Sequence, residues 1–282
     1  MSSDWSSDVC SSDLYADKQG IDLAEIQGTG VRGRVMREDV QNTERALYAP
    51  DFGKVIPMDS MRQVIARRMA ESAFTAPHIS FFTDVTMGPL LSFRKGIVQP
   101  FEEQYGIRPS MNDFLIKAVS LNILEFPMLN AQMGENEVHI QPEINVCLAV
   151  ALPNGLIVPA LTRTDQAGLV DIAKQRRDLV SRAKSGTLSM DELQRGTFTI
   201  SSLAQFDINS FTAIINPPQS GILSVGKTRE ELYLDGDQVK ARTIMTLGLS
   251  VDHRIIDGAL AADFLQSLKK KLEHPQMTFL CV

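Results

Sequence analysis

The chain is poor in cysteine, in basic residues and in long apolar runs, and each shortage removes a class of protein. Three cysteines in 282 residues, Cys10, Cys147 and Cys281, are too few and too scattered for a disulfide framework or a metal cluster, which favours a reducing compartment. No stretch reaches the roughly 18 apolar residues of a membrane span, and the N-terminus lacks the charged-then-apolar pattern of a secretory signal. Lys and Arg number 28 against 34 Asp and Glu, a formal charge of −6, which has the wrong sign for nucleic acid as the main partner. With 44% hydrophobic residues the chain reads as soluble, long enough for one sizeable domain and a small extra one.

The signals along the chain divide it into four segments. Residues 1–14 repeat Ser-Ser-Asp at 2–4, 6–8 and 11–13 with little to bury, a pattern expected to be disordered. The segment resembles translated adapter sequence and is read as foreign to the native protein. Residues 15–42 form a compact α-helical unit. A short helix runs to Gln19 and stops at Gly20, Ile21-Asp22-Leu23 makes a turn, and the loop from Gly28 to Arg34 leads into a second helix near Val35. Its GTGVRG lacks the preceding strand and the lysine-hydroxyl pair of a phosphate-binding loop. Residues 43–54 read as a linker.

Residues 55–282 alternate helical and strand periodicities. Met61, Val64, Ile65, Arg68 and Met69 recur at helical spacing before Pro77, and 78–86 alternates as a strand. Helices are expected around Leu90, Leu91 and Phe93, from Asn112, over 169–184, 189–194 and 259–272. Strands are expected over 144–151, 156–161, 197–202, 211–215, 222–226 and 243–251. That order predicts a two-layer α/β domain, a mixed sheet with helices.

The segment DHRIIDG at 252–258 carries the most chemistry. It follows the β-like run 243–251 and sets His253 and Asp257 one helical turn apart where a strand ends, a position at which a rigid scaffold presents reactive groups. A neutral imidazole suits a general base near pH 7, whereas a lone histidine is by default an ordinary turn residue. Asp257 beside Gly258 also fits a helix cap. Cys147 could be a nucleophile but sits in the apolar pattern of a buried structural thiol. His78 reads as structural, and His139 and His274 as surface residues. The histidines and cysteines lack metal-ligand spacing.

Several blocks together resemble a known family. Residues 15–42, with their GIDL turn, GTGVRGR loop and acidic helix start, resemble the peripheral subunit-binding domain of 2-oxo acid dehydrogenase acyltransferases. MRQVIARRM at 61–69 with APH at 76–78, NDFLIKA at 112–118, GLIVPAL at 155–161, GTFTIS at 196–201, AIINPPQSGILSVG at 213–226 and DHRIIDGA at 252–259 resemble, in that order, the dihydrolipoamide acyltransferase core. The resemblance implies the chloramphenicol acetyltransferase-like fold and a homotrimer built into a larger core. Each active site would lie between subunits, in a channel entered by coenzyme A from one end and dihydrolipoamide from the other.

By the same resemblance His253 is the base that takes the thiol proton, Ser201 donates to the oxyanion, and Asp257 fixes local structure through an arginine, with Arg62 a candidate. Ser202 is the alternative to Ser201, but neighbours on a strand face opposite ways, so only one can enter the channel. Arg94, Ser110, Ser201, Gly226 and Lys227 match positions near coenzyme A. Arg32 and Arg34 would dock the dehydrogenase (E1) or dihydrolipoamide dehydrogenase (E3) subunit through residues 15–42. The stretches FTAIINPPQ and SVDHRIIDGALAADFL look most like acetyltransferases of pyruvate or acetoin complexes. Branched-chain acyl and succinyl groups remain as alternatives, because a methylene of pocket volume decides between them.

No lipoyl domain precedes residue 15, so the lipoyl group is expected to come from a lipoyl domain outside this chain. The family's setting is the cytoplasm in bacteria or the mitochondrial matrix in eukaryotes. An antibiotic acetyltransferase would have no use for a subunit-binding unit. A condensation domain would have two adjacent histidines and about twice the length. A scaffold core whose catalysis has decayed is the non-enzymatic alternative.

Overall fold

The computed structural model describes residues 15–16, 21–47, 53–152 and 155–280, which form two compact units, Met1–Pro57 and Met58–Val282. The Ser-Ser-Asp segment, the end of the first expected helix with Gly20, and both Cys10 and Cys281 lie outside the described residues.

In the first unit, short 3-10 turns at Leu23–Glu25 and Val31–Gly33 precede helix α1, Arg37–Leu47. The helix continues through residues 43–47, where a linker was expected. The loop before it is organised by one carboxylate. Asp39, 7% exposed, accepts the Thr29 and Met36 backbone N–H groups at 2.9 and 2.8 Å and the Thr29 hydroxyl at 2.7 Å. Those backbone donors hold its carboxyl below the usual range. A Cβ at Gly28 would collide with the Gly33 carbonyl, so the glycine pattern of this loop serves a close backbone approach rather than a phosphate.

The second unit is built on a five-stranded mixed sheet. Its strands are β1 (His78–Thr86), β4 (Val146–Leu148), β7 (Phe198–Ser202), β8 (Gly221–Asp235) and β9 (Gln238–Asp252), in the order β1-β9-β8-β7-β4. Pairings β1/β9 and β8/β9 are antiparallel; β7/β8 and β4/β7 are parallel. Two small hairpins stand apart, β2 (Ala131–Met133) with β3 (Val138–Ile140), and β5 (Val150–Leu152) with β6 (Gly155–Ile157).

The helices are α2 (Ser60–Thr75), α3 (Gly88–Tyr105), α4 (Met111–Glu125), α5 (Leu169–Ser185), α6 (Met190–Gln194), α7 (Gly258–Glu273) and α8 (Pro275–Leu280). Asp59 caps α2 by accepting the Arg62 N–H at 2.6 Å. Helix α7 packs on β1 and α4. Residues 113–120 of α4 are all buried, including Lys117, which donates to the Asp165 and Ala167 carbonyls at 2.7 and 3.0 Å. Burial holds its ammonium below the ordinary value.

The two faces of the sheet differ. Ile200 pairs with Leu223, Leu223 with Leu249, and Leu249 with Phe81. This apolar row belongs to the core that also holds Phe114, Phe198, Phe264 and Leu268. Each such buried side chain contributes about 1.5–3 kcal/mol. One residue along, the row Ser201, Ser224, Gly248, Phe82 points to the opposite face. The pairs Ser80 with Ser250 and His78 with Asp252 share that polar face.

Three expectations are corrected. Residues 211–215 alternate in burial as a strand would, yet form no ladder, because their backbone groups bond to side chains. The Ile215 N–H donates to His78 Nε2 at 3.0 Å, the Ser72 hydroxyl donates to the Ile215 carbonyl at 2.6 Å, and the Ser224 hydroxyl to the Phe211 carbonyl at 2.7 Å. The expected strand 156–161 is strand only to Ile157, followed by a single bridge from Ala160 to Cys147. Strands β8 and β9 run on as a two-stranded arm through 228–242, where neither was expected, beyond a bulge between Val225 and Thr228.

Candidate active site

His253 lies just past the end of β9 on a turn whose backbone is tied on all sides. The Asp252 N–H donates to the Ser220 carbonyl at 2.9 Å, His253 N–H to the Pro77 carbonyl at 2.9 Å, and Ile255 and Ile256 N–H to the Asp252 carbonyl at 3.0 Å. The side chain is exposed, and among the described residues no hydrogen bond reaches its ring. A histidine held at the backbone and free at the imidazole can exchange a proton with a ligand.

His78 is the contrasting case. Its Nδ1 donates to the Ala76 carbonyl at 2.7 Å and its Nε2 accepts the Ile215 N–H, so the neutral ring is fully engaged. With Arg68, which donates to the Pro217 carbonyl at 2.5 Å, it clamps the 211–219 segment and its cis Pro217–Pro218 bond against α2. His139 pairs with Glu137 on an exposed hairpin, and His274 follows α7 at the surface.

Ser201 stands on the polar face of β7, and among the described residues no hydrogen bond engages its hydroxyl. Ser202 pairs with Val225, which pairs with Leu247, and so belongs to the helix-side row. Parity alone separates the two serines. Gly226 and Lys227 sit at the β8 bulge, close to Ser201 in the sheet. There the Lys227 N–H bonds the Ile208 carbonyl at 2.8 Å and the ammonium pairs with Asp207. A Cβ at Gly226 would collide with the Asn209 carbonyl, so only glycine admits the 207–211 segment here.

Arg94 and Ser110 form a second group. The guanidinium donates to the Pro109 carbonyl at 3.1 Å, and the Ser110 hydroxyl donates to Asp113 at 3.0 Å, whose buried carboxylate pairs with Arg176. Asp257 accepts the Leu260 N–H at 2.9 Å and caps α7. The Arg62 guanidinium lies near Gly155, where a Cβ would be 3.7 Å from it. Arg32 and Arg34 are exposed on the first unit's loop, Arg32 with a left-handed φ of 62°.

Within one chain His253 and Ser201 cannot meet. Ser201 aligns through Ser224 with Gly248, two strands away, and His253 is five residues further along β9. At ordinary sheet spacings their Cα atoms are about 19 Å apart, and the two side chains with a hydrogen bond between them span only about 10 Å. Any site that uses both needs two copies of the chain.

Cavities do not single out this chemistry. One of about 440 Å³, mostly apolar, lies between α2, β6 and α6, is lined by Met61, Val64, Ile65, Met69, Leu156 and Leu193, and holds none of the predicted site residues. A groove of about 320 Å³ lined by Pro77, His78, Ser80, Thr212 and Ile214 reaches the His253 turn through Pro77. The Cys147 thiol is fully buried, and burial pushes its pKa up to about 11. It accepts from Gln219 at 3.5 Å and fills the space beside Gly196. That is a structural thiol.

Sequence reasoning missed one element of the site, the ion pair between Asp252 and Arg254 on either side of His253, at 2.6 Å. Opposite charges two apart around a histidine were its only trace in the sequence.

Residues 51–280 match the family of 2-oxoacid dehydrogenases acyltransferase (catalytic domain), and residues 14–41 match the e3 binding domain. The chain therefore belongs to the 2-oxoacid dehydrogenase acyltransferase family. It is 35% identical over 264 residues to the dihydrolipoyllysine-residue acetyltransferase component of the pyruvate dehydrogenase complex of Rickettsia felis, covering 91% of this chain and 64% of that protein's length. The fold is similar to that of the Azotobacter vinelandii dihydrolipoamide acetyltransferase, in a structure concerned with a serine, a histidine and an asparagine in its catalytic mechanism. The TM-score is 0.77 at 30% identity, over 81% of this chain and 96% of that one. It is also similar to the cubic core of a pyruvate dehydrogenase multienzyme complex, with TM-score 0.76 at 29% identity over 81% and 96% of the two chains.

Proposed function

We propose that this chain transfers an acetyl group between coenzyme A and dihydrolipoamide, as the acyltransferase core of a 2-oxo acid dehydrogenase complex. The observation that carries the reading is the His253 imidazole, exposed and unengaged on a turn fixed by hydrogen bonds to Ser220, just before β8, and to Pro77. Its neutral form takes the proton of the attacking thiol and returns it to the sulfur that leaves. The Ser201 hydroxyl of a second copy donates to the oxygen of the thioester carbonyl as negative charge develops there.

The Azotobacter enzyme supports these roles by spacing. Its named histidine follows its serine by 52 positions and its asparagine follows the histidine by four, the intervals that separate Ser201, His253 and Asp257 here. Asp257 replaces that asparagine, and its cap on α7 holds the turn in place. An acetyl substrate is supported by the relative's name.

Coenzyme A carries phosphates, which cations and free backbone donors would hold. Arg94, Ser110, Gly226 and Lys227 are the proposed outer contacts. Of these, Gly226 shapes the backbone, whereas Lys227 is already paired and would have to exchange Asp207 for the ligand. The lipoyl group comes from a lipoyl domain. The unit at 14–41, with Arg32 and Arg34, docks the dehydrogenase or dihydrolipoamide dehydrogenase partner. Copies assemble as trimers into a larger core, a reading the likeness to a cubic core supports. No helix among the described residues is long and apolar enough to cross a membrane. The proposed compartment is the cytoplasm of a bacterium or the mitochondrial matrix.

The test is acetyl transfer from acetyl-coenzyme A to dihydrolipoamide by wild type and His253→Ala at matched oligomeric state. Loss on substitution supports the reading. Equal activity would remove His253 as the base, and none in an assembled wild type would leave the decayed-scaffold alternative.

A further inference from the structure

The turn that presents His253 is closed by a charge pair to which the proposed chemistry assigns no part. The Asp252 carboxylate, 4% exposed, accepts the Arg254 N–H and Nε–H at 3.0 Å through Oδ1 and the Arg254 Nη2 at 2.6 Å through Oδ2. The ring closed by these bonds has His253 as its one intervening residue. The bond to Asp252 holds the guanidinium pKa above its ordinary value. We propose that Asp252 and Arg254 are positioning residues for His253: each cancels the charge that the other alone would place beside the imidazole. The inference rests on the reading of His253 as the base.

The physical case is one of sign. A turn already held by the backbone bonds of Asp252, His253, Ile255 and Ile256 does not need an ion pair to close. A nearly buried carboxylate next to a general base calls for a counter-charge, because alone it would favour the imidazolium and lower the share of neutral base at neutral pH. Among the described residues, the titratable groups on the segments bonded to or following the turn are His78 on β1, whose ring is engaged at both nitrogens, and Asp257 at the start of α7, which caps that helix. Both are the same in every variant below.

Arg254→Met leaves Asp252 uncompensated, and Asp252→Asn leaves Arg254 uncompensated while keeping an oxygen for the Arg254 N–H. A unit charge about 7 Å away at an effective dielectric constant of about 40 moves a titration by about 0.5–1 pH unit. In the full-length assembled protein, the acid limb of kcat/KM for acetyl transfer is expected to rise by that amount in Arg254→Met and to fall by that amount in Asp252→Asn. Arg254→Lys returns it towards the wild-type position.

The same order is read without activity from the pH dependence of His253 modification by diethyl pyrocarbonate, followed on its peptide by mass spectrometry, since the reagent attacks the neutral ring. Shifts of opposite sign support the proposal; shifts of one sign, or equal losses of kcat with no shift, overturn it. If Arg254→Met does not fold, Asp252→Asn decides alone, with a downward shift in support and any other result against. If the wild type transfers no acetyl group, the proposed function fails, and the modification series still decides the role of the pair.

Discussion

Two variants that are each inactive should restore one another when they share an assembly. His253→Ala removes the proposed base and is expected to cost about 10²–10⁴ in rate, and Ser201→Ala removes the oxyanion donor and about 10²–10³. With the two residues about 19 Å apart in one chain, a working site takes its histidine from one copy and its serine from the next. In a random equal mixture, half of the histidine-donating positions and half of the serine-donating positions are intact, so about one site in four is complete, whatever the size of the closed ring. Co-expression with two tags, tandem purification and native mass spectrometry would establish mixing, and transfer to dihydrolipoamide would be assayed on the mixed assembly. About a quarter of wild-type activity is expected in a large assembly, and about a third in an isolated trimer once tandem purification has removed the unmixed ones, well above either parent. A verified mixture no more active than its parents, or an active monomer, would refute the shared site.

Gly226→Ala should force the 207–211 segment off β8, because the new Cβ collides with the Asn209 carbonyl. A loss of about 1–3 kcal/mol in stability is expected, read as a lower midpoint in thermal unfolding, and an unchanged midpoint would contradict the close approach. Asp39 has a lowered folded pKa, so its contribution is present above the unfolded carboxylate value and is lost as pH falls through the folded one. Hydrogen exchange of the 28–40 backbone should accelerate over that acid window in the wild type and be fast at neutral pH in Asp39→Asn. Equal protection in the two proteins at pH 7 would count against the carboxylate as the organiser of the loop. Cys147, with its thiol pushed up to about 11, should resist alkylation at pH 8 in the folded protein, and Cys147→Ala should keep acetyl transfer within a few-fold. Abolished transfer in a folded Cys147→Ala protein would revive the nucleophile reading.

The legibility of the site in the sequence was uneven, for physical reasons. Helical elements were readable to within a few residues where a periodic apolar face coincided with a capping residue, as with Asp257 before α7, and the helix expected over 189–194 begins one residue later because Ser189 is its cap. Strand periodicity gave residues 211–215 the right alternation and the wrong state, because alternation records which side chains are buried and says nothing of what the backbone bonds to. The arm of β8 and β9 was invisible for the opposite reason. Leu232, Leu234 and Val239 are exposed there, and none of residues 228–243 is buried, so no buried apolar face marks it. The choice of Ser201 over Ser202 needed only the two-residue period of a strand, and the register then showed which face each serine takes.

The sequence by itself determined the blocks that carry the family, the polar and apolar alternation of the sheet, the helix cap at Asp257, and the candidate pair His253 and Asp257, since these depend on residue type and local spacing. The tertiary structure alone decided that His78 is engaged while His253 is free, that Asp252 and Arg254 close the histidine turn, and that Ser201 and His253 lie too far apart to share a site within one chain. Those facts depend on which strands become neighbours and in what register, a consequence of long-range packing that no local spacing encodes.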